Sequence, residues 1–366
     1  MRLLNCALGD VGILFENRKI VFFGRGSWLQ MVNHTVLMSL KENYQYIIDN
    51  NYGGKENIGD ICLNVFPPEK IREENDCIII LTSPVYMYDM YQELVQMELS
   101  DKIECYALPF MQLVSKYEIN EDVMSEAVNC GNNPKIPKVI HSFWFSGDQK
   151  PEAYQRCIDS WQEKLSGYEI IEWNMDNYDW HKHPFVERAI ELKAWAFASD
   201  FARLDVLYNF GGIYLDMDVE VVKPFDDLLG NDAILSFGSN ISIDLAVAGS
   251  KKDNQVIGQL LKLYDNFDLP TKKEDYAKYF QPTVIRNELA DIGIKMNGSL
   301  QVLEDATVFP SCFFMPRDTI LYKDFVKTDN TYCIHYDNFG WSFGTSNKNM
   351  KKKHDNSLLW NMITPN

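Results

Sequence analysis

Short apolar runs alternate with amphipathic stretches along the first 130 residues, and the alternation predicts strands and helices in turn. Residues 19–24 (KIVFFG) read as a buried strand running into Gly24-Arg25-Gly26-Ser27, with a helical stretch after it to about Leu40. Residues 44–48 (YQYII) are a second strand, closed by Asp49-Asn50-Asn51. Pro67-Pro68-Glu69 opens a short helix, since proline lacks only an N–H that the first turn leaves unpaired. Residues 77–82 (CIIILT) are apolar enough for a strand covered on both faces. A helix over 86–97 and a fourth strand over 103–108 complete a small doubly wound, Rossmann-like α/β domain, residues 1–130.

Prolines, asparagines and a glycine cluster over 129–137 (NCGNNPKIP), which predicts a linker, set at 131–137. A second α/β domain is expected over 138–366. It opens with a strand at 138–144 (KVIHSFW), a helix at 151–165 and a strand at 168–173 (YEIIEW). Residues 189–210 read as one long helix, because Ile190, Ala194, Phe197, Phe201, Leu204 and Tyr208 recur at steps of three and four. Gly211-Gly212 ends it, and 213–215 form a short strand leading to Asp216-Met217-Asp218.

Composition narrows the class. Of 366 residues 46% are hydrophobic and 24% charged, as in globular proteins, so disordered and fibrous classes are excluded. The net charge of -17 disfavours nucleic acid as a partner. Eight scattered cysteines form no C-x-x-C pair, which predicts buried free thiols rather than a zinc ribbon. No apolar run approaches the ~18 residues of a membrane span, and a cytoplasmic protein is expected.

Two places carry candidate chemistry. Gly24-x-Gly26 with Asp49 has the placement of a dinucleotide fingerprint, but Leu29 stands where the third glycine belongs. A Rossmann-like scaffold whose tight turn needs glycine explains it better than a nucleotide or sugar-nucleotide site does. The stronger signal is Gly211-Gly212-Ile213-Tyr214-Leu215-Asp216-Met217-Asp218. Two carboxylates spaced by one residue at a strand end point to the same side and suit a hard divalent cation, Mn²⁺ or Mg²⁺. Upstream, Asp200 and Arg203 share a helix face, as a surface ion pair or as a sugar- and phosphate-binding pair.

The blocks IPKVIHSFWFSG (136–147), ASDFARLDVLYNFGGIYLDMDVEVVKPFDDLL (198–229) and YCIHYDNFGWSF (332–343) together resemble glycosyltransferase family 32, the D-x-D sugar-binding group. They are distantly similar to the glucosylating domain of large clostridial toxins. The resemblance implies a GT-A fold, with a central mixed α/β sheet and the D-x-D at a strand end. It implies that Trp144 stacks on the base of a nucleotide-sugar donor, with a UDP-sugar expected, and that Asp200 and Arg203 hold the transferred sugar. Asp216 and Asp218 would engage donor and metal, with Tyr214 near the donor. His335 would complete the metal shell, while Trp341 and Ser342 would cover the diphosphate.

The activity it implies is hexosyl transfer, with retention, to a glycan or lipid-linked acceptor of bacterial surface polysaccharide: capsule, exopolysaccharide or lipopolysaccharide. Acceptor contacts are expected within 231–298, where 244–249 (DLAVAG) reads as an acceptor-side strand and loop. Lys348 and Lys351 to Lys353 form a basic tail that is solvated or touches the inner membrane surface from the cytoplasmic side. Two other classes stay open: a sugar-nucleotide-modifying oxidoreductase working through Gly24-x-Gly26, and a non-catalytic module keeping the acidic pair for structure.

Overall fold

The structure, a computed structural model, describes residues 1–128, 133–238, 242–267, 269–270, 276, 279–318, 320–321, 326–336 and 350–365, with backbone alone at 350–354, 364 and 365. Its strands are β1 (Arg2–Asn5), β2 (Ile20–Phe23), β3 (Tyr44–Ile48), β4 (Lys55–Ile58), β5 (Ile61–Phe66), β6 (Ile78–Leu81), β7 (Glu104–Ala107), β8 (Val139–Phe143), β9 (Glu169–Trp173), β10 (Gly212–Leu215), β11 (Val219–Val221), β12 (Ala233–Phe237), β13 (Ile243–Ser250), β14 (Gln301–Val302), β15 (Thr307–Phe309), β16 (Cys333–His335) and β17 (Thr364–Pro365).

They form two main sheets, as the α/β reading expects. The first has the order β17-β1-β7-β6-β2-β3-β5-β4 and is parallel except for the β4–β5 hairpin. Its central strands β2 and β6 are buried at every position, so both faces are covered. The order of connections reverses at β2, between β3 and β6, which is where a doubly wound sheet opens its ligand crevice.

Here the turn after β2 packs closely against the rest of the chain. A Cβ on Gly24 would lie 2.8 Å from Thr82 Oγ1 and 3.0 Å from Met90 Cε. Thr82 Oγ1 sits 2.9 Å from the carbonyl oxygens of Phe23 and Gly24. Both Asp49 oxygens accept backbone N–H groups, from Arg25 at 3.0 Å and Asn51 at 2.7 Å. About half of the acceptor capacity of this carboxylate is thus spent on the backbone of the turn itself.

The second sheet has the order β14-β15-β12-β13-β10-β8-β9. It is mixed, because β10 runs parallel to β8 and antiparallel to β13. The D-x-D follows directly on its strand β10, the arrangement that defines the expected GT-A sheet. A separate pair, β11 with β16, lies beside it.

Two expected helices are each split. The stretch 189–210 divides into Pro184–Glu191 and Trp195–Phe210. Lys193 adopts a left-handed φ of 53°, Ala194 N–H donates to Ala189 at 2.8 Å and Lys193 N–H to Ile190 at 2.9 Å. This is a Schellman ending with lysine where glycine or asparagine is usual. The second helix is buried on several faces and encloses Arg203 and Asp205 as well as Phe197, Phe201 and Leu204. The stretch ending near Leu40 breaks after Ser27–Val32, where Thr35 accepts from Leu37 N–H and starts a 3₁₀ turn.

The end of the chain returns to the first sheet. On the helix Met350–Asn361, Leu359 is fully buried, and Trp360 meets Phe110 edge-on with centroids 5.0 Å apart. After it, β17 pairs with β1. Residues 131 and 132 of the expected linker lie outside the described residues, and 133–137 carry neither helix nor strand. Of the cysteines described, six are buried as free thiols, while Cys62 is exposed, contrary to expectation, because it points outward from β5 beside an edge hairpin. Cys130 lies outside the described residues. Among them no helix is long and apolar enough to cross a membrane.

Candidate active site

The site begins with how closely β10 approaches its neighbours. Gly212 has φ +107°, and a Cβ there would lie 2.7 Å from Val139 O and 2.9 Å from His141 Nε2. Only glycine admits both the conformation and the contact. His141 is buried beneath it, with Nε2 2.8 Å from Gly211 O and Nδ1 accepting from Trp173 Nε1 at 3.1 Å. These partners define the neutral tautomer that donates from Nε2, and burial lowers the histidine's pKa accordingly.

Beyond Leu215 the chain leaves the strand and turns, with Val219 N–H donating to Asp216 O at 3.1 Å. The two carboxylates therefore converge through a turn rather than by strand alternation, which corrects the geometry expected from their spacing. Asp216 N–H is held by Ala246 O of β13 at 2.8 Å. Opposite the turn, β16 brings in His335, whose Nε2 lies 3.3 Å from Asp218 Oδ1. Asp216, Asp218 and His335 each offer a ligand atom, all within 4.8 Å of one another. His335 Nδ1 is buried without a hydrogen-bond partner among the described residues, while Nε2 faces Asp218.

Arg203 joins this cluster to Asp200. Its Nη2 lies 3.1 Å from Asp200 Oδ1 and 3.3 Å from Asp216 Oδ1, and its Nε donates to Ser199 O at 3.2 Å. The guanidinium also sits over the Tyr214 ring, 4.6 Å from its centroid, and Tyr214 OH donates to Asp216 Oδ1. The side chains of Arg203 and Asp200 are only 7% and 14% exposed, which removes the surface ion-pair reading. Gln281 Nε2 fixes the helix from behind by donating to Asp200 O at 2.7 Å.

The electrostatics are unbalanced toward the anionic side. Burial pushes the Asp200 carboxyl up to about 7, against the pull of Arg203 and with the push of Asp216 and Asp244. Burial likewise raises Asp216, opposed by Arg203 and assisted by Asp218. For His335 burial acts downward, but the hydrogen bond to Asp218 and the charges of Asp244, Asp218 and Asp216 lift it to about 9. Four carboxylates thus face one guanidinium and one imidazole. Oxygen ligands with one imidazole fit Mn²⁺ or Mg²⁺.

The histidine gives a testable sign. Its folded pKa lies above the ordinary 6.5, so its stabilising contribution is complete below that pH and is lost as pH rises through about 9. Thermal melting in chelator should therefore show falling stability across this window, and Mn²⁺ should flatten the slope by taking the proton's place. A flat chelator profile would contradict the pairing.

One wall is aromatic. Trp144, half-buried at the end of β8, meets Tyr154 edge-on at 5.8 Å, and its Nε1 donates to Asp148 O at 2.7 Å. Burial, then the charges of Asp218 and Asp216, push the Tyr154 phenol up, so this wall borders the acidic turn. The helix carrying Tyr154, Glu152–Lys164, is tied to β11 by Trp161 Nε1 donating to Val219 O at 2.7 Å. Trp341 and Ser342 lie outside the described residues, as do Asn338, Gly340, Gly344 and Lys348.

Sequence reasoning missed Tyr154, Gln281 and Asp244 as members of this region. Asp244 belongs to β13, where 244–249 is strand throughout and without the expected loop; its Oδ1 accepts from Ala246 N–H at 2.8 Å. An apolar strand beside the acidic one was the available signal for it. Nothing in the sequence marked Gln281.

Comparison with known proteins agrees with this picture. Residues 151–235 match the family model described as a glycosyltransferase sugar-binding region containing a DXD motif, which bears out the resemblance read from the sequence. The chain is 35% identical to inositol phosphoceramide mannosyltransferase 2 of Schizosaccharomyces pombe, over 57% of this chain and 59% of that one. It is 29% identical to inositol phosphoceramide mannosyltransferase 1 of the same yeast, over 30% and 36%. The chain thus spans between about a third and three fifths of the length of these curated relatives. Among solved structures, the PaToxG glycosyltransferase is similar over 47% of this chain and 74% of that one, at 20% identity and a TM-score of 0.37.

Proposed function

We propose that this chain is a metal-dependent glycosyltransferase that moves a hexose from a nucleotide-diphosphate sugar to an acceptor hydroxyl. The observation that carries the reading is the convergence of Asp216, Asp218 and His335 beside the buried Asp200–Arg203 pair. A divalent cation bound there would act as a Lewis acid for the charge gathering on the departing diphosphate.

The chain's own groups have separate tasks. Tyr214 and Arg203 together hold Asp216 Oδ1, which leaves its other oxygen for the cation or the donor. Arg203 Nε and Nη2 face Ser199, Asp200 and Asp216, and Nη1 is the donor assigned to a sugar or phosphate oxygen. Asp200 accepts from a sugar hydroxyl, and its raised pKa reflects how little water reaches it. Trp144 offers the nucleotide base a ring face, its N–H being already occupied. Transfer proceeds with retention at the anomeric carbon.

The relatives named as inositol phosphoceramide mannosyltransferases make a mannosyl donor and an inositol- or lipid-linked acceptor the first substrates to test. A UDP-hexose with a surface-polysaccharide acceptor, on the cytoplasmic face of a membrane, is the counterpart. A panel of UDP- and GDP-sugars should reveal one donor that is hydrolysed in Mn²⁺ and spared in chelator. Equal turnover of that donor with and without the metal would overturn the reading.

A further inference from the structure

We propose that the first sheet layer positions His335 at the cation site through the segment Cys312 to Asp318, with Lys116 and Asn356 as the positioning residues. The proposal rests on the reading of His335 as a cation ligand.

The strand that carries His335 is short and has little support of its own. β16 has three residues and, among the described residues, pairs only with β11. Its placement comes from the preceding loop: Tyr332 and Cys333 N–H donate to Phe313 O at 2.7 and 3.1 Å, and His335 N–H to Phe314 O at 3.0 Å. A shift of residues 313–314 therefore carries the imidazole with it.

That loop is fastened to the first layer at both ends. Cys312 Sγ donates to Lys116 O at 3.0 Å, and Lys116 Nζ donates to Arg317 O at 2.6 Å. Lys116 is on the helix Leu108–Tyr117, which follows β7 directly. Further on, Asn356 Nδ2 donates to Ile320 O and to Pro84 O, both at 2.9 Å, so one amide ties the loop to the switch-point turn after β6. Ile320 and Leu321 are buried in the first layer's own core. The links run from β6 and β7 through Lys116 and Asn356 to 312–318, where Asp318 Oδ1 accepts from Ile320 and Leu321 N–H, and on through Phe314 to His335.

The choice of Lys116 adds weight. Burial holds its ammonium down to about 8, so it stays charged at neutral pH in a place that opposes charge. An apolar residue would fill that place at less cost, whereas the ammonium grips a particular carbonyl. Cation sites respond to small displacements of their ligands, and loss of an outer contact commonly weakens metal binding by about 10–100-fold.

The test is Mn²⁺ binding to the full chain, followed by the spin-resonance signal of free Mn²⁺, in Lys116→Met and Asn356→Ala. A control, Leu94→Ala, opens a cavity in the same layer at a fully buried residue that makes none of the hydrogen bonds holding the loop. Each of the first two variants should weaken Mn²⁺ binding about tenfold while melting cooperatively, and the control should bind as the parent does. Parent-like Mn²⁺ affinity in Lys116→Met and Asn356→Ala would overturn the proposal. Equal weakening in all three would also overturn it, since general loosening would then be the cause. A parent chain that binds no Mn²⁺ would overturn the metal reading and this inference with it.

Discussion

Asp218→Asn should abolish metal-dependent donor turnover, with a loss on the order of a thousandfold, while the protein stays folded. Asparagine keeps the shape of the side chain and removes one of the two charges at the acidic turn. It also takes the anionic partner from His335 Nε2 at 3.3 Å, so the imidazole falls back toward its ordinary pKa. The Asp218 side chain is 13% exposed, and the imidazole left behind can shed its proton, so the change leaves no obligatory charge buried without a partner. Donor hydrolysis in Mn²⁺, together with a thermal melt, checks this. Activity within tenfold of the parent in a folded variant would remove the carboxylate from the reaction and revive the non-catalytic module.

Gly212→Ala should cost stability out of proportion to the single methyl it adds. Two independent penalties fall on one residue. The φ of +107° costs an L side chain about 1–3 kcal/mol. The new methyl would also press on Val139 O at 2.7 Å and His141 Nε2 at 2.9 Å, and the first of these is backbone in the neighbouring strand. A total of about 3 kcal/mol or more follows, read as a lower urea midpoint with an unchanged slope. Turnover should drop as well, because β10 cannot move without taking Asp216 with it. A parent-like midpoint would mean that the strand spacing relaxes at no cost.

What the sequence disclosed depended on how local each signal was. Fully buried strands such as Ile78–Leu81 announce themselves by unbroken apolarity. The D-x-D was legible because Gly211-Gly212, the apolar strand and both carboxylates fall within eight consecutive residues. The break at Lys193 was not, because a left-handed lysine looks like any helical lysine in sequence. β1 was passed over since four residues with an exposed arginine give no period to count. His335 stands over a hundred residues from Asp218, so only the family pattern suggested the partnership. Gln281 acts through a main-chain carbonyl, a contact that leaves no trace in composition.

The pairing of β17 with β1 bears on how the molecule is made. The segment that leaves the ribosome early waits for one synthesised more than 350 residues later. Until then β7 shields only one side of β1, and the row of N–H and C=O groups on the other side stands open. Closing so long a loop is entropically slow, so the chain carries an adhesive border until β17 arrives. A chain caught before that pairing forms would be the species most prone to stick to its neighbours.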